Sequence, residues 1–185
     1  INIVWTGVDP NYWEYCDDNG ISTGNPVTWA PNDTVGHVTD SMILNTEGGK
    51  ITLFLNNDLS WLINNLYIYG ENDCIIKLNG HKINLGNLYI GSSYDGIDSS
   101  DAGKKGSVKI EGGGDGGECT VNGYLYTSSE ISNSELSKIV LDGVDLQIKT
   151  AWEAGNEKNV TLEILNNASI KNGINDVIIN GDVKE

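Results

Sequence analysis

Apolar residues recur along this chain in short alternating runs, and helical stripes are weak throughout. Ile51–Leu55, Leu66–Tyr69, Leu88–Ile90, Val108–Ile110, Lys138–Leu141 and Val160–Leu165 are three to six residues long, rich in β-branched, leucine or aromatic side chains, and bounded by Gly, Asn or Asp. A period of two over so few residues predicts strands. The best helix candidate, Ser128–Ser137, is rich in Ser and Glu but poor in apolar residues. Alternation also assigns faces. If Leu66 and Ile68 point inward, Tyr67 and Tyr69 point outward; by the same count Tyr89 is outward, as are Tyr124 and Tyr126 around Leu125.

The strands repeat. Glycines close three of them at 70, 91 and 112, in two steps of 21 residues. An apolar residue followed by Asn or Asp and then Gly occurs at Leu78-Asn79-Gly80, Val121-Asn122-Gly123, Leu141-Asp142-Gly143 and Ile179-Asn180-Gly181. These glycines are 43, 20 and 38 apart, close to two, one and two turns of a coil of about 20–22 residues. Several short strands per period, with Asn and Gly at the corners, predict an all-β solenoid of the parallel β-helix type over residues 50–185. Stacked coils of that length would bring Tyr67 beside Tyr89, with Lys109 one coil further.

Residues 1–49 differ in texture. They hold all three prolines, three of the five tryptophans, seven carboxylates and no lysine. No flexible linker separates them from the rest, so they are predicted to form an irregular, aromatic N-terminal cap on a single structural domain. The 23 glycines and 23 asparagines fit corners that need positive φ, and the regular alternation with thirteen Trp plus Tyr argues against disorder.

Charge narrows the partners. The 26 acidic residues outnumber eleven lysines, arginine is absent, and the formal net charge is −15. That balance opposes nucleic acid and anionic membrane surfaces as partners. No run is long and apolar enough to insert in a membrane, and no signal peptide is visible. The chain begins at Ile1, which predicts a processed product or a module excised from a larger multidomain protein. Cys16, Cys74 and Cys119 lack metal-ligand spacing, and their odd number cannot form a fully paired framework, so buried free thiols are expected. Cys74 and Cys119 are two coils apart, roughly 9.6 Å along the axis, beyond disulfide reach.

Ile75-Ile76-Lys77-Leu78-Asn79-Gly80-His81-Lys82-Ile83 resembles the "LNGH-x-I" coil signature of right-handed parallel β-helix domains in secreted bacterial proteins, the pectate-lyase-like folds. The resemblance covers about residues 50–183, some five or six coils, and implies right-handed winding and an extracellular, secreted or cell-surface location. Enzymes, adhesins and carbohydrate-binding modules share this scaffold. Pectate lyases of the fold typically use an Arg base with Asp-bound calcium, and related polygalacturonases use clustered Asp with Arg-x-Lys. Without Arg, neither set carries over, and Asp17-Asp18 is the only Asp-Asp pair. A Lys base remains open through Lys77, Lys82, Lys104 or Lys105. Net charge −15 also repels a polyanionic substrate unless calcium bridges it.

Binding chemistry is better represented. Outward Tyr67, Tyr69, Tyr89, Tyr124 and Tyr126 would form an aromatic strip suited to sugar rings, with Asn, Asp and Lys neighbours for the hydroxyls. Trp5, Tyr12, Trp13, Tyr15 and Trp29 form a second aromatic group, able either to anchor the cap or to stack on a ligand. Trp61 and Trp152 read as packing residues. In the loop Ser92–Gly106, Asp95, Asp98 and Asp101 could bind calcium or form a solvated surface loop. The leading expectation is a non-catalytic module that binds polysaccharide or a cell-surface glycan. A pectate-lyase-like enzyme and an adhesin or structural stalk are the alternatives.

Overall fold

The computed structural model describes residues 1–7, 9, 11–29, 35–38, 40–91, 105–114, 116–127, 137–153, 160–173, 177–179 and 183–184. Its strands are, in order, β1 (Asn2–Trp5), β2 (Trp13–Cys16), β3 (Ser22–Pro26), β4 (Val35–Val38), β5 (Ser41–Asn45), β6 (Ile51–Leu55), β7 (Leu59–Tyr69), β8 (Cys74–Lys77), β9 (Lys82–Ile90) and β10 (Ser107–Glu111). There follow β11 (Gly117–Val121), β12 (Tyr124–Tyr126), β13 (Ser137–Asp142), β14 (Val144–Ile148), β15 (Ala151–Glu153), β16 (Val160–Leu165), β17 (Ser169–Asn172), β18 (Val177–Ile179) and β19 (Val183–Lys184). Every run expected to be extended lies in a strand. There is no helix among the described residues, and the candidate at 128–137 lies outside them except for Ser137, which opens β13.

The strands form two sheets. One has the order β19-β16-β13-β10-β8-β6-β1-β2-β3, and the other runs β18-β17-β14-β11-β9-β7-β5-β4, with β12 pairing both β9 and β15. From β6 onward the chain passes from one sheet to the other, and successive visits to a sheet lay parallel strands side by side. Parallel neighbours require a crossover, and here the opposite sheet supplies it.

Pairing fixes the repeat. Ile51 pairs with Cys74 and Ile139 with Leu162, each 23 residues on, while Asn65 pairs with Asn87, 22 on. Longer steps intervene: Cys74 pairs with Val108 and Val108 with Ile139, 34 and 31 residues on. The regular glycine series 70, 91, 112 therefore mixes two sheets. Gly70 and Gly91 follow β7 and β9, whereas Gly112 follows β10, at the position that Leu78 holds after β8.

The ends of the parallel stacks are closed by antiparallel strands. β2 and β3 extend one sheet beyond β1, β4 flanks β5, and β18 and β19 flank β17 and β16. The described part of residues 1–49 holds five strands where an irregular segment is expected from sequence, and β1 and β5 already pair in parallel with β6 and β7. On the edge strand β3, Pro26 lacks an N–H and β2–β3 pairing is irregular between Glu14 and Cys16, both of which discourage further pairing.

The core lies between the sheets. Ile3, Leu53, Ile76, Ile110 and Leu141 pair successively across β1, β6, β8, β10 and β13, and each is at most 2% exposed. Burial of each such side chain is worth about 1.5–3 kcal/mol. Cys74 and Cys119 are free and buried, one in each sheet. The Leu78–Ile83 motif is a corner. Leu78 is buried, Asn79 has φ +52 and donates from Nδ2 to the Leu55 carbonyl at 3.1 Å, and His81 Nδ1 lies 3.2 Å from Asp58 Oδ1. Its chemistry therefore goes into turning the chain.

One face positions the aromatic residues. The later halves of β7 and β9 pair with β5 and β12, while their earlier halves belong to the ladder leading to β11. The junction is pinned by Asn87, whose Nδ2 donates to Asn65 Oδ1 at 3.1 Å and whose Oδ1 accepts from the Tyr124 N–H at 2.9 Å.

Candidate functional site

Register across β5, β7, β9 and β12 aligns Ile43, Tyr67, Tyr89 and Tyr126, with Ile43 buried at one end of the row. The tyrosines make a continuous stack. The Tyr67 and Tyr89 ring centroids are 4.3 Å apart at 8°, those of Tyr89 and Tyr126 are 4.7 Å apart at 14°, and Tyr124 packs tilted against Tyr126 at 5.6 Å. The strip expected from alternation is present, but its third rung is Tyr126. Lys109 belongs to β10 in the other sheet, because the chain between β9 and β10 is longer than one short coil. The rings also face one another, so the middle of the ladder offers edges, not open π faces, to a ligand.

Three expected site residues are withdrawn from the surface. Tyr69 is 3% exposed at the end of β7, where its carbonyl accepts bonds from both the N–H and the hydroxyl of Thr46. Trp5 and Trp13 are 2% and 1% exposed and pair across the β1–β2 ladder; the Trp5 indole N–H donates to the Asp9 carbonyl at 2.8 Å. They anchor the N-terminal strands; Trp5 is closed to a surface ligand, and Trp13 contributes only to the floor of a cleft beside Trp29. Tyr12 remains exposed, with its hydroxyl donating to Glu14 at 2.9 Å, and that bonded carboxylate raises the phenol pKa.

Trp29 sits in a different setting. It walls a cleft of about 160 Å³ together with Leu62, above the buried Trp13, Met42 and Ile63, and Asn11, Asp40, Ser41 and Asn64 supply polar groups. The Trp29 indole N–H donates to the Asn11 carbonyl at 3.1 Å, which fixes the ring edge. The cleft is below the ~300 Å³ of pockets that take whole drug-sized ligands, so it suits one ring of a longer molecule.

Leu62 comes to this cleft through a bulge that also carries Trp61. Leu59 pairs with Ile83 and Ile63 with Leu85, so Ser60, Trp61 and Leu62 lie opposite Asn84 alone. Extra residues in one strand re-aim side chains. Here they leave Trp61 56% and Leu62 48% exposed, the two large apolar side chains that sequence reading assigned to packing or passed over. The available signal was local: Trp61-Leu62-Ile63 breaks the alternation that holds on either side.

Other candidate groups are dispersed. Lys77 lies over the Phe54 ring at 5.5 Å, Lys82 pairs with Glu118 at 3.7 Å and Lys105 with Glu71 at 3.6 Å; Lys104 lies outside the described residues. Asp95, Asp98 and Asp101 also lie outside them. Among the described residues no three His, Cys, Asp or Glu side chains are grouped to hold a metal ion. Burial pushes the Cys74 and Cys119 thiols up to about 12, and partial burial beside Asp17 and Asp18 pushes Cys16 up to about 11, so each is protonated at neutral pH. No protein-family model, curated protein or solved structure matches this chain.

Proposed function

We propose that this chain is a right-handed parallel β-helix module that binds an extracellular polysaccharide or cell-surface glycan without catalysis, as part of a larger secreted or cell-surface protein. The alternating visits to two sheets and the 22–23-residue pairing steps support the winding. One observation carries the binding reading. An exposed indole, Trp61, stands on the same bulge as Leu62, which with Trp29 walls a cleft edged by amide, carboxylate and hydroxyl groups. Sugars present apolar C–H faces and hydroxyl edges, and this pairing of indole with amide and carboxylate groups answers both. A rigid sheet holds these groups in place before a ligand arrives, which lowers the entropic cost of binding. The tyrosine ladder flanks the cleft on β7 and adds ring edges with a polar tip.

Affinity electrophoresis against neutral, cationic and acidic polysaccharides tests this reading. Retardation by at least one glycan, reduced in Trp29→Ala and Trp61→Ala, is the expected result. Retardation by none would reject the reading in favour of a stalk or protein-binding adhesin. Unsaturated-product absorbance on pectic substrates would replace it with the lyase.

A further inference from the structure

We infer that the sugar taken by the Trp29–Leu62 cleft bears a protonated amine, with the Asp40 carboxylate as its counter-charge; this rests on the carbohydrate reading above. Asp40 is the single ionisable side chain among the residues that line the cleft. It is exposed, and among the described residues its carboxylate has neither a hydrogen bond nor an ion pair. Its backbone is held nonetheless: the Asn65 N–H donates to its carbonyl at 3.1 Å and its φ is +53. A carboxylate on a held backbone, unpaired among the described residues, therefore stands at the edge of an indole-walled recess.

The surroundings carry the same sign. The first 49 residues contain seven carboxylates and no lysine, within a chain of net charge −15. Such a field concentrates cations and repels polyanions at the cleft. An ammonium group also interacts favourably with an indole face within about 6 Å, so Trp29 and Asp40 favour the same ligand group. Uronic acids meet charge of their own sign at both levels. The ligand class is accordingly a polymer or oligomer of amino sugars with free amines.

Isothermal titration with glucosamine oligomers, their N-acetylated counterparts and oligogalacturonate, on the whole chain, tests this. The free-amine oligomer should bind about tenfold tighter than the N-acetylated one, with the margin shrinking as salt rises. Asp40→Asn should abolish the margin, read as the ratio of the variant's affinities for the two oligomers, and Asn tolerates positive φ, so the turn survives. Equal affinity for the two oligomers, or a margin that survives Asp40→Asn, would overturn the amine inference and leave carbohydrate binding intact. Preference for oligogalacturonate would do the same. Binding of none of the three, nor of any neutral glycan, would reject both.

Discussion

Tyr89 is the middle rung of the tyrosine ladder, stacked on Tyr67 at 4.3 Å and on Tyr126 at 4.7 Å. Replacing it with alanine removes two aromatic pairs, each worth about 0.5–1.5 kcal/mol beyond burial. Loss of a half-buried ring adds about half of the 3–5 kcal/mol of a fully buried aromatic truncation. The sum is a destabilisation of about 2.5–5.5 kcal/mol, lowering Tm by about 5–22 °C for a chain of this size. Tyr67→Ala removes the Tyr67–Tyr89 pair, itself worth about 0.5–1.5 kcal/mol. Urea denaturation followed by circular dichroism gives both values from the midpoint and slope. A double-mutant cycle isolates the stack: Tyr67/Tyr89 and Tyr89/Tyr126 should couple by about 0.5–1.5 kcal/mol each, and Tyr67/Tyr126, separated by Tyr89, by close to zero. No coupling in either contacting pair would refute the ladder as a stabilising unit.

Four further outcomes follow from the same geometry. Gly70 has φ +132, and a Cβ there would lie 2.5 Å from Thr46 Oγ1 and 2.6 Å from the Glu47 nitrogen, so Gly70→Ala should destabilise by about 2–3 kcal/mol in urea melts. Asn87→Ala leaves the Tyr124 N–H unpaired and should cost about 1–3 kcal/mol, with faster amide exchange localised to β12. Burial holds the Cys74 and Cys119 thiols up at about 12, against an ordinary value of 9.0, so the folded state keeps protons that the unfolded chain releases. Stability should therefore hold below pH 9 and fall from there toward pH 12, and the fall should be shallower in Cys74→Ala than in the parent protein. Trp61→Ser should leave Tm within about 2 °C, because the side chain is 56% exposed, yet weaken glycan retardation; a large loss of stability would return Trp61 to a packing role.

Much of the fold was legible because alternation is a local property. Ile51–Leu55 and Val160–Leu165 read as strands from their own residues, and parity turned Tyr67, Tyr89 and Tyr126 outward while Leu66, Leu88 and Leu125 turned in. Alignment between coils was harder, because it depends on connection lengths. The pairing steps of 34 and 31 residues around β10 moved Lys109 to the other sheet and replaced it with Tyr126. Trp5 and Trp13 could not be told from surface aromatics in sequence, since cross-strand pairing buries them. Trp61 and Asp40 escaped notice for a related reason: a two-residue excess in β7 and a left-handed turn before β5 set their direction, and neither follows a period.

A glycan seated in the cleft lies against Trp29 and reaches Trp61 on the adjoining bulge, and indole N–H resonances report on each of the five tryptophans separately. Titrating the labelled protein with glucosamine oligomer in nitrogen–proton correlation spectra should shift the Trp29 and Trp61 indole signals. Those of Trp5 and Trp152, engaged with the Asp9 carbonyl and the Thr127 hydroxyl, should stay fixed. Unmoved Trp29 and Trp61 signals under this and every other glycan of the panel would contradict carbohydrate binding at this cleft.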